Sequence, residues 1–308
     1  MIVNGRNLAP LLLTGGGGAL NLEALWLVLI SALFHASRDY LVKRATNKLL
    51  FFCWYRFCAL IVLLPIFLQR FSLSLSPLSW IYILARSILD ALYIYALAGA
   101  YREGDLSLIY PIARSAPIFV LLWSTLIWHQ PLPPTGVVGI LIVAFGTYVL
   151  QLRGLSTRNL AAPILAAIHN RSIRMAWITA LLVAANSLID DRAVELLDPL
   201  VYLYVFVGVS SLLYIPYLLR CGWQSIRTEW QGHWKHILPA AVLGASGYLL
   251  ALIAFRIEHV GYVTAIRQAS IIFGVVFGTV LLREPYGRVR LIGSLVMFVG
   301  MLLIFLLG

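Results

Sequence analysis

Apolar runs close to the roughly 20 residues that carry an α-helix across a bilayer recur along the whole of this 308-residue chain, and no stretch between them is long enough to build a soluble domain. Ten can be read, at about 20–41, 49–69, 78–99, 105–128, 134–152, 173–194, 199–219, 236–256, 260–282 and 288–307. With 61% of residues hydrophobic and 11% charged, a water-soluble globular domain is excluded. Alternation of period two, the mark of a membrane barrel, is absent, so helices are the remaining way to satisfy the backbone in hydrocarbon. The expectation is an all-α membrane protein with ten transmembrane helices.

The chain also repeats itself. HQPLPPTGVVGILIVAFGTYVL (129–150) and REPYGRVRLIGSLVMFVGMLLI (283–304) superpose without a gap, placing Pro131 on Pro285, Gly139 on Gly293 and Gly146 on Gly300, always 154 positions apart. The same displacement carries Arg102 onto Arg256, and one residue less carries Arg114 onto Arg267. At the first run of each half, Lys43-Arg44-Ala45 meets Asp191-Arg192-Ala193. The longest connection falls near the middle, which divides the chain into a tail (1–18), a first five-helix repeat (19–152), a linker (153–172) and a second five-helix repeat (173–308). An odd number of spans per repeat inverts the second copy relative to the first. Inverted repeats of this kind build transporters whose site lies near the midplane between the halves.

Ionisable groups at membrane depth need a cavity or a partner. Arg86 and Asp90 lie near the centre of the third run, four residues apart and so on one helical face. They form either a self-neutralising structural pair or part of a site. Under the repeat their counterparts are Ala240 and Gly244, so the repeat does not require them. Arg56 stands beside Trp54 and Tyr55 and can reach an interface or a cavity. Arg114 lies between Pro111 and Pro117, which free backbone carbonyls of the preceding turn. Its guanidinium suits a two-pronged grip on a carboxylate or phosphate, or else caps those carbonyls or pairs with Asp90 or Asp39. Arg267 is its counterpart in the second half. Tyr93 and Tyr110 share faces with Asp90 and Arg114. These seven, Arg114, Arg86, Asp90, Tyr93, Tyr110, Arg56 and Arg267, are the candidate substrate-binding residues. Arg38, Asp39, Asp190 and Asp191 sit within about a turn of a helix end and read equally as interfacial groups or as site residues. The glycine pairs seven apart in the fifth and tenth runs read as close helix packing.

Other classes find no support. The formal charge of +11 is spread over short loops and helix ends, the pattern of cytoplasmic loops and not of a nucleic-acid surface. The three cysteines show no metal or disulfide spacing. His233 and His236, read as lying in a loop, lack the HExxH glutamate, and no GxSxG elbow, Walker loop or GxGxxG follows a strand. Neither an enzyme, nor an ATP-driven pump, nor a cofactor or metal site is legible.

The segments GDLSLIYPIARSAPIFVLLWSTLIWHQPL and HVGYVTAIRQASIIFGVVFGTVLLREPYG resemble the fourth span and following turn of the two repeats of the drug/metabolite transporter superfamily, in its EamA-like ten-helix branch. The resemblance runs from about Ala19 onward and includes Tyr40-Leu41-Val42-Lys43-Arg44 at the basic end of the first run. The turn usually carries a glutamate, present as Glu284 in the second copy and replaced by Gln130 in the first. The resemblance implies two inverted five-helix repeats, a central cavity lined by the early helices of each half, secondary transport that is often efflux, and an integral protein of a bacterial inner membrane. It also implies termini on the cytoplasmic side, whereas the lysines and arginines concentrated in the loops after runs one, three, five, seven and nine place that face in the cytoplasm and the termini outside.

The function expected is secondary active transport, in the export direction, of a small polar metabolite bearing an acidic group, by alternating access, with protons as the candidate coupling ion through Asp90. A lipid-linked sugar flippase and a non-transport membrane scaffold are the alternatives.

Overall fold

A computed structural model describes residues 21–42, 44–71, 75–103, 115–130, 132–150, 170–281 and 288–307. Among them there are helices and turns and no strand. The helices are α1 (Leu22–Val42), α2 (Lys48–Arg70), α3 (Pro77–Glu103), α4 (Ala116–Leu126), α5 (Pro134–Leu150), α6 (Arg171–Leu196), α7 (Pro199–Leu212), α8 (Ile215–Ile257), α9 (Val260–Ile266), α10 (Ala269–Leu281) and α11 (Arg288–Leu307). Among the described residues six helical stretches are long and apolar enough to cross a membrane, and four shorter apolar helices accompany them. Where turns are tight, side chains cap the exposed N–H groups. Asn47 accepts from Leu49 and Leu50 at the start of α2, and Asp198 accepts from Leu200 and Val201 at the start of α7, with Pro199 at the first helical position, where no N–H is needed. Large apolar side chains such as Trp26, Ile61, Phe145 and Leu295 are exposed, as expected of surfaces that face lipid.

The described parts of the expected runs fall on these helices, residues 105–114 of the fourth run lying outside the described residues, and two differences stand out. Residues 220–235, read as a loop, are helical, because α8 continues through them for 43 residues in all. Gly222 alone leaves helical geometry, at φ 74°, a conformation that costs glycine little and other residues more. His233 and His236 therefore lie on a helix and not in the loop expected from sequence. This stretch is clipped to the α1–α2 turn. The Glu229 carboxylate accepts from the Asn47 N–H at 2.9 Å, the Trp54 indole donates to the Ile226 carbonyl at 3.0 Å, and the Trp54 and Trp230 rings lie 4.7 Å apart. The second difference is that the ninth run is broken, with Arg267 and Gln268 in a turn between α9 and α10.

Helices α5 and α11 cross at their glycines. A Cβ on Gly146 would stand 2.6 Å from the Met297 nitrogen and 3.0 Å from the Gly293 carbonyl. One on Gly300 would stand 2.7 Å from the Val143 nitrogen and 2.9 Å from the Gly139 carbonyl. Backbones meet there because nothing lies between them. The pairing of Gly139 with Gly300 and of Gly146 with Gly293 makes the helices antiparallel. Exchanging each glycine for its repeat counterpart turns the Gly139–Gly300 contact into the Gly293–Gly146 contact, so a two-fold relation passes through the crossing. Other contacts come in swapped pairs: α1 packs on α8 as α6 packs on α3, α1 on α10 as α6 on α4, and α2 on α8 as α7 on α3.

Candidate functional site

Between these swapped pairs lies a cavity of about 440 Å³. Its wall takes His35, Arg38 and Asp39 from α1, Tyr55 and Arg56 from α2, and Arg86, Asp90 and Tyr93 from α3. The second half supplies Asn186 from α6, Tyr248 from α8, Thr264 from α9, and Arg267 and Gln268 from the break that follows.

Four buried charges form one alternating chain across it. Arg56 donates to one oxygen of Asp90 at 2.8 Å and Arg86 to the other at 3.2 Å. Arg86 reaches on through Nε to Asp190 of α6 at 2.9 Å. Tyrosines close the remaining valences: Tyr202 donates to Asp190 at 2.8 Å, Tyr248 both accepts from Arg86 at 2.7 Å and donates to Asp190, and Tyr214 donates to Asp90 at 3.4 Å. Arg56 also donates to the Ser210 hydroxyl. The face of Phe206 lies 4.5 Å below the Arg86 guanidinium. The two positive and two negative charges cancel, and each has multiple polar partners, the condition under which ions tolerate burial.

Arg267 is different. Its guanidinium carbon lies 5.4 Å from the centre of the Tyr248 ring, and among the described residues no carboxylate comes within salt-bridge distance. It sits where α9 ends and α10 begins, so the positive end of the α10 dipole adds to its charge. Helix α4 begins at Ala116 as α10 begins at Ala269, with the same displacement that carries Arg114 onto Arg267. Close to Arg267 in sequence, Thr264 and Gln268 line the cavity, as Asn186 does from α6. The Asn186 Oδ1, Thr264 Oγ1 and Gln268 Oε1 atoms are buried without a hydrogen-bond partner among the described residues.

Of the seven residues expected from sequence, Arg56, Arg86, Asp90, Tyr93 and Arg267 share this one cavity. Arg114 and Tyr110 lie outside the described residues. Arg86 and Asp90 do pair, but neither is the other's sole partner. Asp190, for which an interfacial position was one reading, is 1% exposed and belongs to the chain of charges; Asp191 is fully buried. Sequence reading missed His35, Asn186, Tyr248 and Gln268. The one available signal was spacing: Asn186 precedes Asp190 by one helical turn, as Arg86 precedes Asp90. Among the described residues no group of three or more His, Cys, Asp or Glu could hold a metal ion.

A two-fold-related bundle of apolar helices around a polar, charge-lined cavity is the architecture of transporters built from inverted repeats. The sequence model of the EamA-like transporter family matches residues 22–152 and again residues 170–306, and the chain belongs to that family. It is an integral membrane protein whose transported substrate is a small molecule. A solved crystal structure is similar over 91% of this chain and 95% of its own, with a TM-score of 0.68 at 15% sequence identity. That likeness concerns the fold alone. No curated protein matches the chain.

Proposed function

We propose that the protein is a secondary active transporter that moves a small polar metabolite bearing an acidic group, by alternating access of two inverted five-helix repeats (19–152 and 173–308) joined by the 153–172 segment. Export across a bacterial inner membrane is its working direction, by the family resemblance. The antiparallel crossing of the equivalent helices α5 and α11 supports the inversion.

The observation that carries the acidic substrate is the isolation of Arg267. Arg56 and Arg86 are consumed by Asp90 and Asp190, and Arg38 by Asp39. Arg267 brings a fixed charge to the cavity with no carboxylate of the described protein to meet it, so a substrate carboxylate or phosphate completes it. The unpartnered amide and hydroxyl atoms of Asn186, Thr264 and Gln268 suit the polar remainder of such a molecule. Arg56, Arg86 and Asp90 then shape and close the wall, Tyr93 lines it, and Arg114 with Tyr110 contributes the equivalent contact from the first half.

Counterflow in proteoliposomes tests this, with radiolabelled organic acids and phosphate esters run beside neutral sugars and amines. Saturable counterflow is expected for one or more acids, reduced about tenfold or more in Arg267→Lys, which keeps the charge but loses the planar fork, and abolished in Arg267→Gln. Counterflow confined to neutral or cationic compounds, or equal in wild type and Arg267→Gln, would sink the reading.

A further inference from the structure

The α1 segment from His35 to Asp39 carries three ionisable groups in an arrangement the anion site does not use. The Arg38 guanidinium donates to Asp39 Oδ1 through Nη2 at 2.6 Å and Nε at 3.1 Å. The same Nη2 lies 3.1 Å from Nε2 of His35, and that Nε2 lies 3.5 Å from Asp39 Oδ2. All three residues line the cavity.

Arginine has donors only. A contact from its Nη2 to His35 Nε2 therefore requires that nitrogen to present its lone pair, so the imidazole is neutral with its proton on Nδ1. A proton arriving at Nε2 reverses the contact. The new N–H has nothing to donate to on Arg38 and repels its charge, while the second oxygen of Asp39 stands within reach and gains a charge-assisted bond by a small movement.

We propose that His35 is the proton-binding site of this transporter, and that its protonation transfers Asp39 from Arg38 to His35, turning the Arg38 guanidinium toward the cavity. The charge of the triad rises from zero to plus one. Arg38 and Arg267 line the same cavity, so a substrate anion held between them relieves the mutual repulsion of the two cations. Proton and anion therefore favour one another's binding by the same factor, as linkage requires. This assignment places the coupling proton away from Asp90, whose two oxygens are already held by two arginines.

The surroundings permit the exchange. Helix α8 presents glycines here: Gly244 faces the Arg38 stem, and Gly247 faces Phe34 and the His35 backbone. Tyr55 of α2 and Tyr93 of α3 share the cavity wall with Arg38, and the Tyr248 ring of α8 lies 5.4 Å from the Arg267 guanidinium. Lys48 of α2 lines the same cavity, α10 places Phe277 against Tyr40, and the other ionisable wall groups, Arg56, Arg86 and Asp90, are bound to one another.

The proton site stands on the triad alone; its linkage to an anion rests on the reading of Arg267 given above. Nitrogen-15 NMR of histidine-labelled protein in nanodiscs tests both, with the His35 signals assigned from His35→Gln and His35→Asn. Nε2 should show an unprotonated shift at about pH 8 and become imidazolium by about pH 5. Asp39→Asn should lower the midpoint by about one pH unit and Arg38→Gln should raise it by about as much. Sulfate, whose charge is constant over this range, should raise the midpoint in wild type and not in Arg267→Gln. A His35 that stays neutral throughout, or a midpoint indifferent to both Asp39 and Arg38, overturns the proton site. A midpoint that responds to both but ignores sulfate overturns the linkage, while counterflow of acids that still depends on Arg267 would leave the anion site standing.

Discussion

Arg86 of α3 donates to Asp190 of α6 at 2.9 Å, so a helix of the first repeat and a helix of the second are joined by an ion pair whose members are 4% and 1% exposed. Burial on both sides means that losing one member strands the other in a medium that solvates it poorly. Asp190→Ala should lower the stability of the detergent-solubilised protein by about 3–5 kcal/mol, and Asp190→Asn should lower it less because the tyrosine hydrogen bonds persist. Arg70→Gln breaks the exposed pair with Asp198, at 3.2 Å, and should cost no more than about 1 kcal/mol. Thermal melts of the three variants separate these cases.

Asp90 is shared between two arginines, which gives a double-mutant test. Asp90→Asn leaves Arg56 without a carboxylate among the described residues, held by neutral partners such as Ser210 and the Tyr214 ring. Arg86 keeps Asp190. Arg56→Gln/Asp90→Asn removes a charge of each sign, so its melting temperature should lie well above that expected from adding the two single losses. Strict additivity would show that the Arg56–Asp90 contact contributes no coupling.

The glycine crossing predicts a graded series. Gly146→Ala and Gly300→Ala drive a methyl into backbone atoms at 2.6 and 2.7 Å and should destabilise by about 1–3 kcal/mol. Gly139→Ala first meets the Ile304 side chain, also at 2.6 Å, which can turn aside, so its loss should be smaller. A methyl on Gly232 would meet nothing within 4 Å, and Gly232→Ala should stabilise α8 by up to about 1 kcal/mol. Reversal of the order Gly232, Gly139, Gly146 in melts would contradict the packing described.

The clip between α8 and the α1–α2 turn is testable by fluorescence. Glu229→Ala removes the buried acceptor of the Asn47 N–H, at 2.9 Å, a loss of about 1–3 kcal/mol. Trp54, which donates to Ile226 and packs on Trp230, should then show red-shifted emission, with Trp54→Phe as the control that removes the signal. Glu229→Gln retains an acceptor and should leave the spectrum near that of wild type.

How far the sequence carries depends on whether a feature is local. Apolar runs are local, so most of the described helices apolar enough to enter a membrane could be located from them. The glycine crossing was also readable, since Gly139, Gly146, Gly293 and Gly300 keep one displacement. The 220–235 stretch was not readable, because a helix lying outside hydrocarbon mixes Arg227, Glu229 and Lys235 with Trp223 and Trp230 and forms no apolar run. The break at Arg267 carries no proline or glycine, so only its packed surroundings reveal it. Arg86 and Asp90 announced each other by spacing, whereas the partnership of Arg86 with Asp190 exists only once α3 lies against α6.

The two-fold relation has a consequence for the proposed alternating-access cycle. Under it the seam between α3 and α6 corresponds to the seam between α8 and α1. The first is fastened by Arg86 and Asp190; the counterparts of Arg86 and Asp90 in α8 are Ala240 and Gly244, and the Gly244 position is overlain by the Arg38 stem. One seam is latched by an ion pair, the other by close helix contact at glycines and a neutral hydrogen bond from the Ser31 hydroxyl to the Gly247 carbonyl at 2.6 Å. Exchanging the conformations of the halves therefore does not regenerate an equivalent molecule. In the proposed alternating-access cycle the two resting states therefore differ in free energy, and the unloaded protein is expected to favour one side of the membrane before any gradient is applied.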